Sequence, residues 1–291
     1  MNIYVLFGQT ATGKTAKALE LVDQHNGEIV NFDSRQLYEK LDIVTGKDRP
    51  TDPKYKIWLY DLADPKNTFS SSEFVASAEP VLIDILSRGK TPILVGGTGF
   101  YLYHLLYGVP QISVPENWPL RNKLNLNSVE ELTSLLKEKN RQLYEEMNES
   151  DRMNPRRLIR RIEIAFAGGT IPKQPTKETL SDRLAHLGGV QNGPIKFTYL
   201  PFFHTDSEKT RDIIRTRVMK RLEEGAIEET QKLLDAGYKP TDPGLNAIGY
   251  QQIIAYIKDE MTRDQMIELW ITREIQYAKR QKTFFKKYFP L

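Results

Sequence analysis

Cysteine is absent from the 291 residues, which removes disulfides, zinc–thiolate sites and a thiol nucleophile from consideration. No apolar run approaches the roughly 18 residues that a membrane-spanning helix needs, and no basic n-region or cleavage site precedes the first apolar strand. The expectation is a cytoplasmic protein with no membrane association. A large excess of either charge is also lacking: 41 Lys and Arg stand against 38 Asp and Glu, a net charge of +3 that does not by itself imply nucleic acid. No internal repeat is visible. What remains, 40% apolar and 27% charged, is the composition of an ordinary globular protein long enough to bury a sizeable core.

The most informative segment is Gly8-Gln9-Thr10-Ala11-Thr12-Gly13-Lys14-Thr15, which completes the pattern G-x-x-x-x-G-K-[ST] directly after the apolar strand 3–7 and before a helical run. Glycines let the backbone wrap an anion with its N–H groups, and the helix beginning near Lys14 aims its positive end at that anion. Lys14 adds a charge and Thr15 a hydroxyl suited to Mg²⁺. An ordinary glycine turn explains the letters, but not the strand before and the helix after.

Strands are predicted over 3–7, 28–31, 57–60 and 92–95, with helices over 14–24 and 72–88, an alternation that makes a parallel sheet with crossover helices. After Gly108 the rhythm breaks at Val109-Pro110, Val114-Pro115 and Trp118-Pro119, and a polar helical stretch follows over 128–167. Its exit through Gly168-Gly169-Thr170 continues as a polar, poorly periodic segment to about residue 194, which reads as mobile. An alternating, aromatic-rich strand over 195–203 returns the chain to the sheet, and helices follow over 207–236, 249–258 and 262–288. The expected architecture is α/β: a P-loop NTPase-like parallel sheet flanked by helices, with an inserted helical subdomain. Its first part spans 1–110, the insertion 111–190, and the return to the core with the C-terminal helices 191–291.

In a parallel sheet, strand C-termini open on the crevice where the phosphate loop lies, so Asp33, just past the second strand, faces the same cleft as Lys14. A carboxylate there can take a proton from a nucleophile attacking what the cradle holds; its plainer use is to cap the turn that continues into Ser34. The fourth strand ends in Gly96-Gly97-Thr98-Gly99, where many ATP-hydrolysing proteins of this class carry an acid that holds Mg²⁺ and its waters. The missing acid favours a diphosphate leaving group over a γ-phosphate to be transferred, although a strand-to-helix turn also uses glycine. Arg211, Arg215, Arg217 and Lys220 share one later helix, and one of them could reach the phosphates as a planar fork.

Basic residues gather in two places: Arg152, Arg156, Arg157, Arg160 and Arg161, and then Arg273, Lys279, Arg280, Lys282, Lys286 and Lys287 among Tyr277, Phe284, Phe285, Tyr288 and Phe289. Basic side chains interleaved with aromatics suit a surface that tracks a nucleic-acid backbone and stacks bases. A solvated amphipathic helix with its aromatics in the core gives the same pattern, and the pattern alone leans that way. The residues by themselves leave open a small-molecule kinase, with Asp33 deprotonating an acceptor hydroxyl, and a nucleic-acid-binding module with a regulatory nucleotide site and no chemistry.

The P-loop, Asp33-Ser34-Arg35-Gln36-Leu37-Tyr38, Asp42-Ile43-Val44-Thr45-Gly46-Lys47, Gly96-Gly97-Thr98-Gly99-Phe100-Tyr101, Asn154-Pro155-Arg156-Arg157-Leu158-Ile159-Arg160, Ala247-Ile248-Gly249-Tyr250 and Gln276-Tyr277-Ala278-Lys279-Arg280-Gln281 together resemble the tRNA dimethylallyltransferases, in order and over nearly the whole chain. The resemblance implies transfer of a dimethylallyl group from its diphosphate to the exocyclic amine of the adenosine 3′ of the anticodon, releasing pyrophosphate with Mg²⁺ present. The implied partners are dimethylallyl diphosphate and a tRNA anticodon stem-loop, and a monomer is expected. Asp33 matches the family's base, with Thr10 and Arg217 beside it as catalytic residues. Gly8, Gln9, Thr10, Ala11, Thr12, Gly13, Lys14 and Thr15 match the diphosphate cradle, Thr15 being the Mg²⁺ contact. Asp33, Ser34, Arg35, Gln36, Thr98, Arg121, the run Arg156, Arg157, Leu158, Ile159 and Arg160, and Lys279 with Arg280 become the expected tRNA contacts. Relatives that prenylate free adenine nucleotide are a third alternative; they need neither the insertion nor the basic tail. The chain departs from the family pattern at Gln9, where proline is usual, at Phe284-Phe285, where tryptophan is frequent, and in its shorter insertion.

Overall fold

In a computed structural model, which describes residues 1–110, 114–170, 178–186 and 195–289, five strands form one parallel sheet in the order β3-β2-β4-β1-β5. They are β1 (Asn2–Gly8), β2 (Gly27–Asn31), β3 (Ile57–Trp58), β4 (Thr91–Gly96) and β5 (Lys196–Phe202). β1 lies between β4, with Phe7 opposite Gly96, and β5, with Gly8 opposite Phe202. Ile3, Val5, Leu6 and Phe7 are all buried, the continuous apolar run expected of a strand covered on both faces.

The covering helices are α1 (Lys14–His25), α2 (Ser71–Ser87) and α3 (Gly99–Tyr107). A reciprocal capping box between Ser70 and Glu73 starts α2, an arrangement that stabilises a helix start by about 1 kcal/mol. β3 is shorter than the sequence suggests, two residues instead of four, and β5 has seven residues instead of nine.

Contacts divide the chain into two units, Met1–Gly108 with Glu178–Leu291, and Val109–Lys177. The second unit holds α4 (Trp118–Leu124), α5 (Val129–Glu145), α6 (Glu149–Arg152) and α7 (Pro155–Phe166). The single helical stretch expected over 128–167 is therefore three helices. Asn148 and Asn154 stop and restart it by accepting N–H bonds at the first turns of α6 and α7, and Asn140 breaks α5 with extended angles. Leu132, Leu136, Leu143, Leu158, Ile159 and Ile162 form this unit's own core.

Back in the first unit lie α8 (Leu180–His186), α9 (Ser207–Glu223), α10 (Ala226–Asp235), α11 (Tyr250–Ile257) and α12 (Arg263–Tyr288). The one helix expected over 207–236 is α9 and α10, separated at Gly225, whose φ of +100 no helix accepts. Of the segment to residue 194 that reads as mobile, α8 is ordered helix, while 171–177 and 187–194 lie outside the described residues. α12 runs from the buried Trp270, in the core formed by α9 to α12, to Phe285, whose ring packs 4.9 Å from Phe7. Of the five aromatics of the basic tail, Phe285 and Phe289 are buried, Tyr277 and Phe284 are half-buried and Tyr288 is exposed, and Lys279, Arg280, Lys286 and Lys287 are exposed, so the amphipathic alternative holds for part of the cluster.

Candidate active site

β1, β2 and β4 end on a common cleft of about 1020 Å³, the upper end of the range for small-molecule sites. Its floor is the phosphate loop. The chain leaves β1 at Gly8 with φ +139, and a Cβ there would lie 2.0 Å from the Phe202 carbonyl oxygen, so only glycine permits the turn beside β5. Ala11 then adopts φ +59, a left-handed conformation costing roughly 1–2 kcal/mol for an L-residue, before Gly13 leads into α1.

That strain is held by side chains from far along the chain. Thr10 N donates to Gln281 Oε1 at 2.8 Å, and Gln281 Nε2 donates to the Gly97 carbonyl at 2.9 Å, so one α12 side chain joins the cradle to the glycine turn after β4. Gln9, only 4% exposed, donates from Nε2 to the Ala278 carbonyl at 3.0 Å and accepts from His204 N at 2.8 Å. The residue that departs from the family pattern is therefore a bolt between the loop and α12, a bond proline could not make.

Lys14 curls back on the loop, Nζ donating to the Gln9 carbonyl at 2.5 Å, and Arg217 Nη1 donates to Thr10 Oγ1. Burial first, and the Arg217 charge second, push the Lys14 ammonium down from 10.5 to about 7, with Asp33 pulling the other way. Between about pH 7 and 10.5 the unfolded chain therefore holds a proton that the folded one has given up. Stability from this group rises with pH across that window, and its penalty is complete below pH 7. A bound polyanion reverses the shift. Titration with pyrophosphate at pH 8, in buffers of differing ionisation heat, is expected to show greater net proton uptake than in Lys14→Met; the same buffer dependence in both proteins would contradict this assignment.

Asp33 has two tasks on its two oxygens. Oδ1 accepts from Arg35 N at 2.9 Å, so the plainer turn-capping use is real, while Oδ2 lies 3.4 Å from where a Cβ on Gly97 would stand, on the cleft wall. Around it, the Tyr60 and Tyr277 hydroxyls are pushed up, by burial first; the Asp33 charge adds to both, and Asp48 adds to Tyr60 ahead of it. Ser34 N donates to Thr98 Oγ1 at 2.9 Å, and Gln36 Nε2 donates to the Gly46 carbonyl at 2.8 Å. Asp33, Ser34, Arg35, Gln36, Thr98, Arg217 and Arg280 thus line one cleft with the phosphate loop from Thr10 to Thr15; Gly8 and Gln9 shape that loop from behind. Lys279 is exposed on α12, outside the lining.

The remaining sequence-derived candidates belong to the Val109–Lys177 unit. Leu158 and Ile159, 0% and 3% exposed, are packed inside its core, so their side chains are not surface groups for the expected tRNA contact. Arg121 is held by the buried Glu163 through two bonds of 2.8 Å, and Arg160 donates to the Val114 carbonyl at 2.8 Å and to Glu163 at 3.0 Å; both guanidiniums brace the unit. Arg157 pairs with Asp151, and Arg156 is exposed. In the cleft, sequence reasoning missed Tyr60, Arg221 and Glu274. Arg221 stands four residues after Arg217, hence on the same helical face, a signal that was available.

A phosphate loop after the first strand, a carboxylate after the second and a glycine turn after the fourth define a P-loop-like α/β protein. A family profile described as IPP transferase matches residues 36–288, and one described as Isopentenyl transferase matches residues 1–61; the chain belongs to the IPP transferase family. It is 34% identical over 289 residues to the tRNA dimethylallyltransferase of Acetivibrio thermocellus, covering 98% of this chain and 89% of that one. It is likewise 34% identical over 296 residues to that of Endomicrobium trichonymphae, covering 98% and 92%. Among solved structures, the tRNA delta(2)-isopentenylpyrophosphate transferase of Staphylococcus epidermidis superposes with a TM-score of 0.66 at 28% identity, covering all of this chain and 91% of the other.

Proposed function

We propose that the cleft transfers a dimethylallyl group from dimethylallyl diphosphate to the exocyclic amine of the adenosine 3′-adjacent to the anticodon in tRNA, as a monomeric cytoplasmic enzyme. The observation that carries this reading is the pairing in one cleft of a cationic phosphate cradle, Lys14 and Arg217 about Thr10, with the Asp33 carboxylate, and no acid after β4. The matched relatives named for tRNA prenylation support it.

In the reaction, the allylic C–O bond breaks, a C–N bond forms to the adenine amine, pyrophosphate leaves with the bonding electrons, and the amine loses one proton. An aromatic amine is a feeble nucleophile, so the burden falls on the leaving group. Loop N–H groups, Lys14 and Arg217 meet the charge growing on the departing diphosphate, and Asp33 Oδ2 orients the amine and takes its proton late. The adenine has to leave its stack to reach the cleft, and Arg280 and Lys279, both exposed, would meet the RNA backbone. Arg156 on the insertion is a further proposed contact.

Thr15 lines the cleft beside Lys14, and among the described residues its hydroxyl has no hydrogen-bond partner. No cluster of three or more His, Cys, Asp or Glu side chains is placed among them to hold a metal. This donor set fits Mg²⁺, which draws most of its ligands from phosphate oxygens and water. Thr15 would be its protein ligand, and the ion would neutralise diphosphate charge.

Mass spectrometry of nucleosides from tRNA treated with the protein and dimethylallyl diphosphate is expected to show one five-carbon unit added to adenosine. Consumption of labelled ATP, with the prenyl donor untouched, would establish the kinase alternative instead.

A further inference from the structure

Arg221 is only 5% exposed, yet it lines the cleft. Among the described residues its side chain makes one hydrogen bond, Nη1 to Glu274 Oε1 at 3.2 Å, and Glu274 is steadied in turn by Trp270 Nε1 at 3.5 Å. A guanidinium offers five donors, so this pairing leaves most of its capacity for something else. Its Nη2 points at Gly46: a Cβ on that residue would lie 2.5 Å from Arg221 Nη2 and 2.8 Å from Arg217 Nη2. The two guanidinium tips thus meet over a backbone position with no side chain, φ +66, in the wall that also holds Gln36.

Two like charges brought together out of water are unfavourable unless an anion joins them. Both signs of that tension are present. Burial, and after it the Arg217 charge, bring Arg221 down to about 10, with Glu274 opposing, and the same Arg217 charge depresses Lys14. One carboxylate, Glu274, cannot balance Lys14, Arg217 and Arg221 together, and Asp33 is the other acid that both Lys14 and Arg221 feel. We propose that Arg221 is a second guanidinium for the phosphate oxygens of the prenyl donor, oriented by Glu274 and admitted to the cleft by the absence of a side chain at Gly46. Arg217, tied to Thr10, and Arg221, tied to Glu274, then close on the diphosphate from adjacent turns of α9, a planar two-fork grip that a lysine cannot reproduce.

This inference rests on the diphosphate reading of the cleft, and the test separates the two. Inorganic pyrophosphate is titrated calorimetrically into the full-length protein and into Arg221→Met, Arg221→Lys, Gly46→Ala and Lys14→Ala, with the dissociation constant for unmodified tRNA measured alongside. Arg221→Met is expected to weaken pyrophosphate about 10²-fold, in line with the loss of one preorganised donor to a polyanion, and to raise KM for the prenyl donor, while tRNA affinity stays within about twofold. Gly46→Ala, which leaves both arginines in the chain but crowds the Nη2 of each, is expected to weaken pyrophosphate too, and to add to Arg221→Met only what it takes from Arg217. Arg221→Lys should recover little of the loss. Unchanged pyrophosphate affinity in Arg221→Met, with Lys14→Ala impaired, overturns the Arg221 assignment and leaves the cradle standing; so does a loss confined to tRNA affinity, which would give Arg221 to an RNA phosphate. Absence of pyrophosphate binding by the unaltered protein overturns the diphosphate reading and this inference together.

Discussion

Lys14→Ala is expected to lower turnover of dimethylallyl diphosphate by about 10²–10³ at saturating substrate, without loss of thermal stability. The Lys14 Nζ rests on the Gln9 carbonyl at the cleft, and in the proposed reaction it would meet oxygens that gain charge as the allylic bond breaks. Its ammonium is already depressed to about 7 by burial and by Arg217, so the free protein holds it at a cost that a bound anion removes. Removing the side chain therefore takes away more from the reacting complex than from the resting fold, and the melting temperature should stay level or rise. Steady-state kinetics beside a melting curve checks both halves. Turnover within twofold of the unaltered protein, or a collapse in melting temperature that accounts for the lost activity, would remove Lys14 from the chemistry.

Asp33→Asn should cost about 10²–10⁴ in turnover, the range for losing a positioned proton acceptor. The substitution is selective. Asparagine keeps an Oδ1 to accept from Arg35 N, so the turn after β2 survives, and only the proton-accepting oxygen on the cleft wall is exchanged for an amide. Pyrophosphate affinity is expected to remain near that of the unaltered protein, since Asp33 is not among the groups that hold the leaving anion. A variant that prenylates normally would favour a binding role for the cleft and leave the carboxylate with its turn alone.

What could be read without coordinates follows from how local each signal is. The phosphate loop carries its own geometry in eight consecutive residues, and strands buried on both faces announce themselves as apolar runs, so β1, β2 and β4 and the cleft at their ends were legible. Helix boundaries were less so, because periodicity runs on through a cap. Asn148 and Asn154 begin new helices by accepting backbone N–H bonds on their side chains, and Gly225 begins one with a positive φ, none of which disturbs the spacing of apolar residues. The basic clusters were less legible for a different reason: Leu158 and Ile159 sit among arginines in sequence but share the buried face of α7, and Arg121 and Arg160 turn to a buried Glu163 that composition does not reveal. Gln281 stood within a segment that marks the family, yet its task of joining two loops depends on a contact 184 positions away and could only be seen in three dimensions.

The bonds from Gln9 to Ala278 and from Thr10 to Gln281 span 269 and 271 positions. During synthesis, at about 5–20 residues per second, the amino-terminal loop emerges on the order of tens of seconds before the helix that fixes it. A nascent chain therefore carries the full phosphate-loop motif before the two α12 bonds that tie Gln9 and Thr10 to the rest of the fold can form. Any product ending short of Ala278 keeps the motif and loses both bolts, and is expected to bind pyrophosphate more weakly than the full chain.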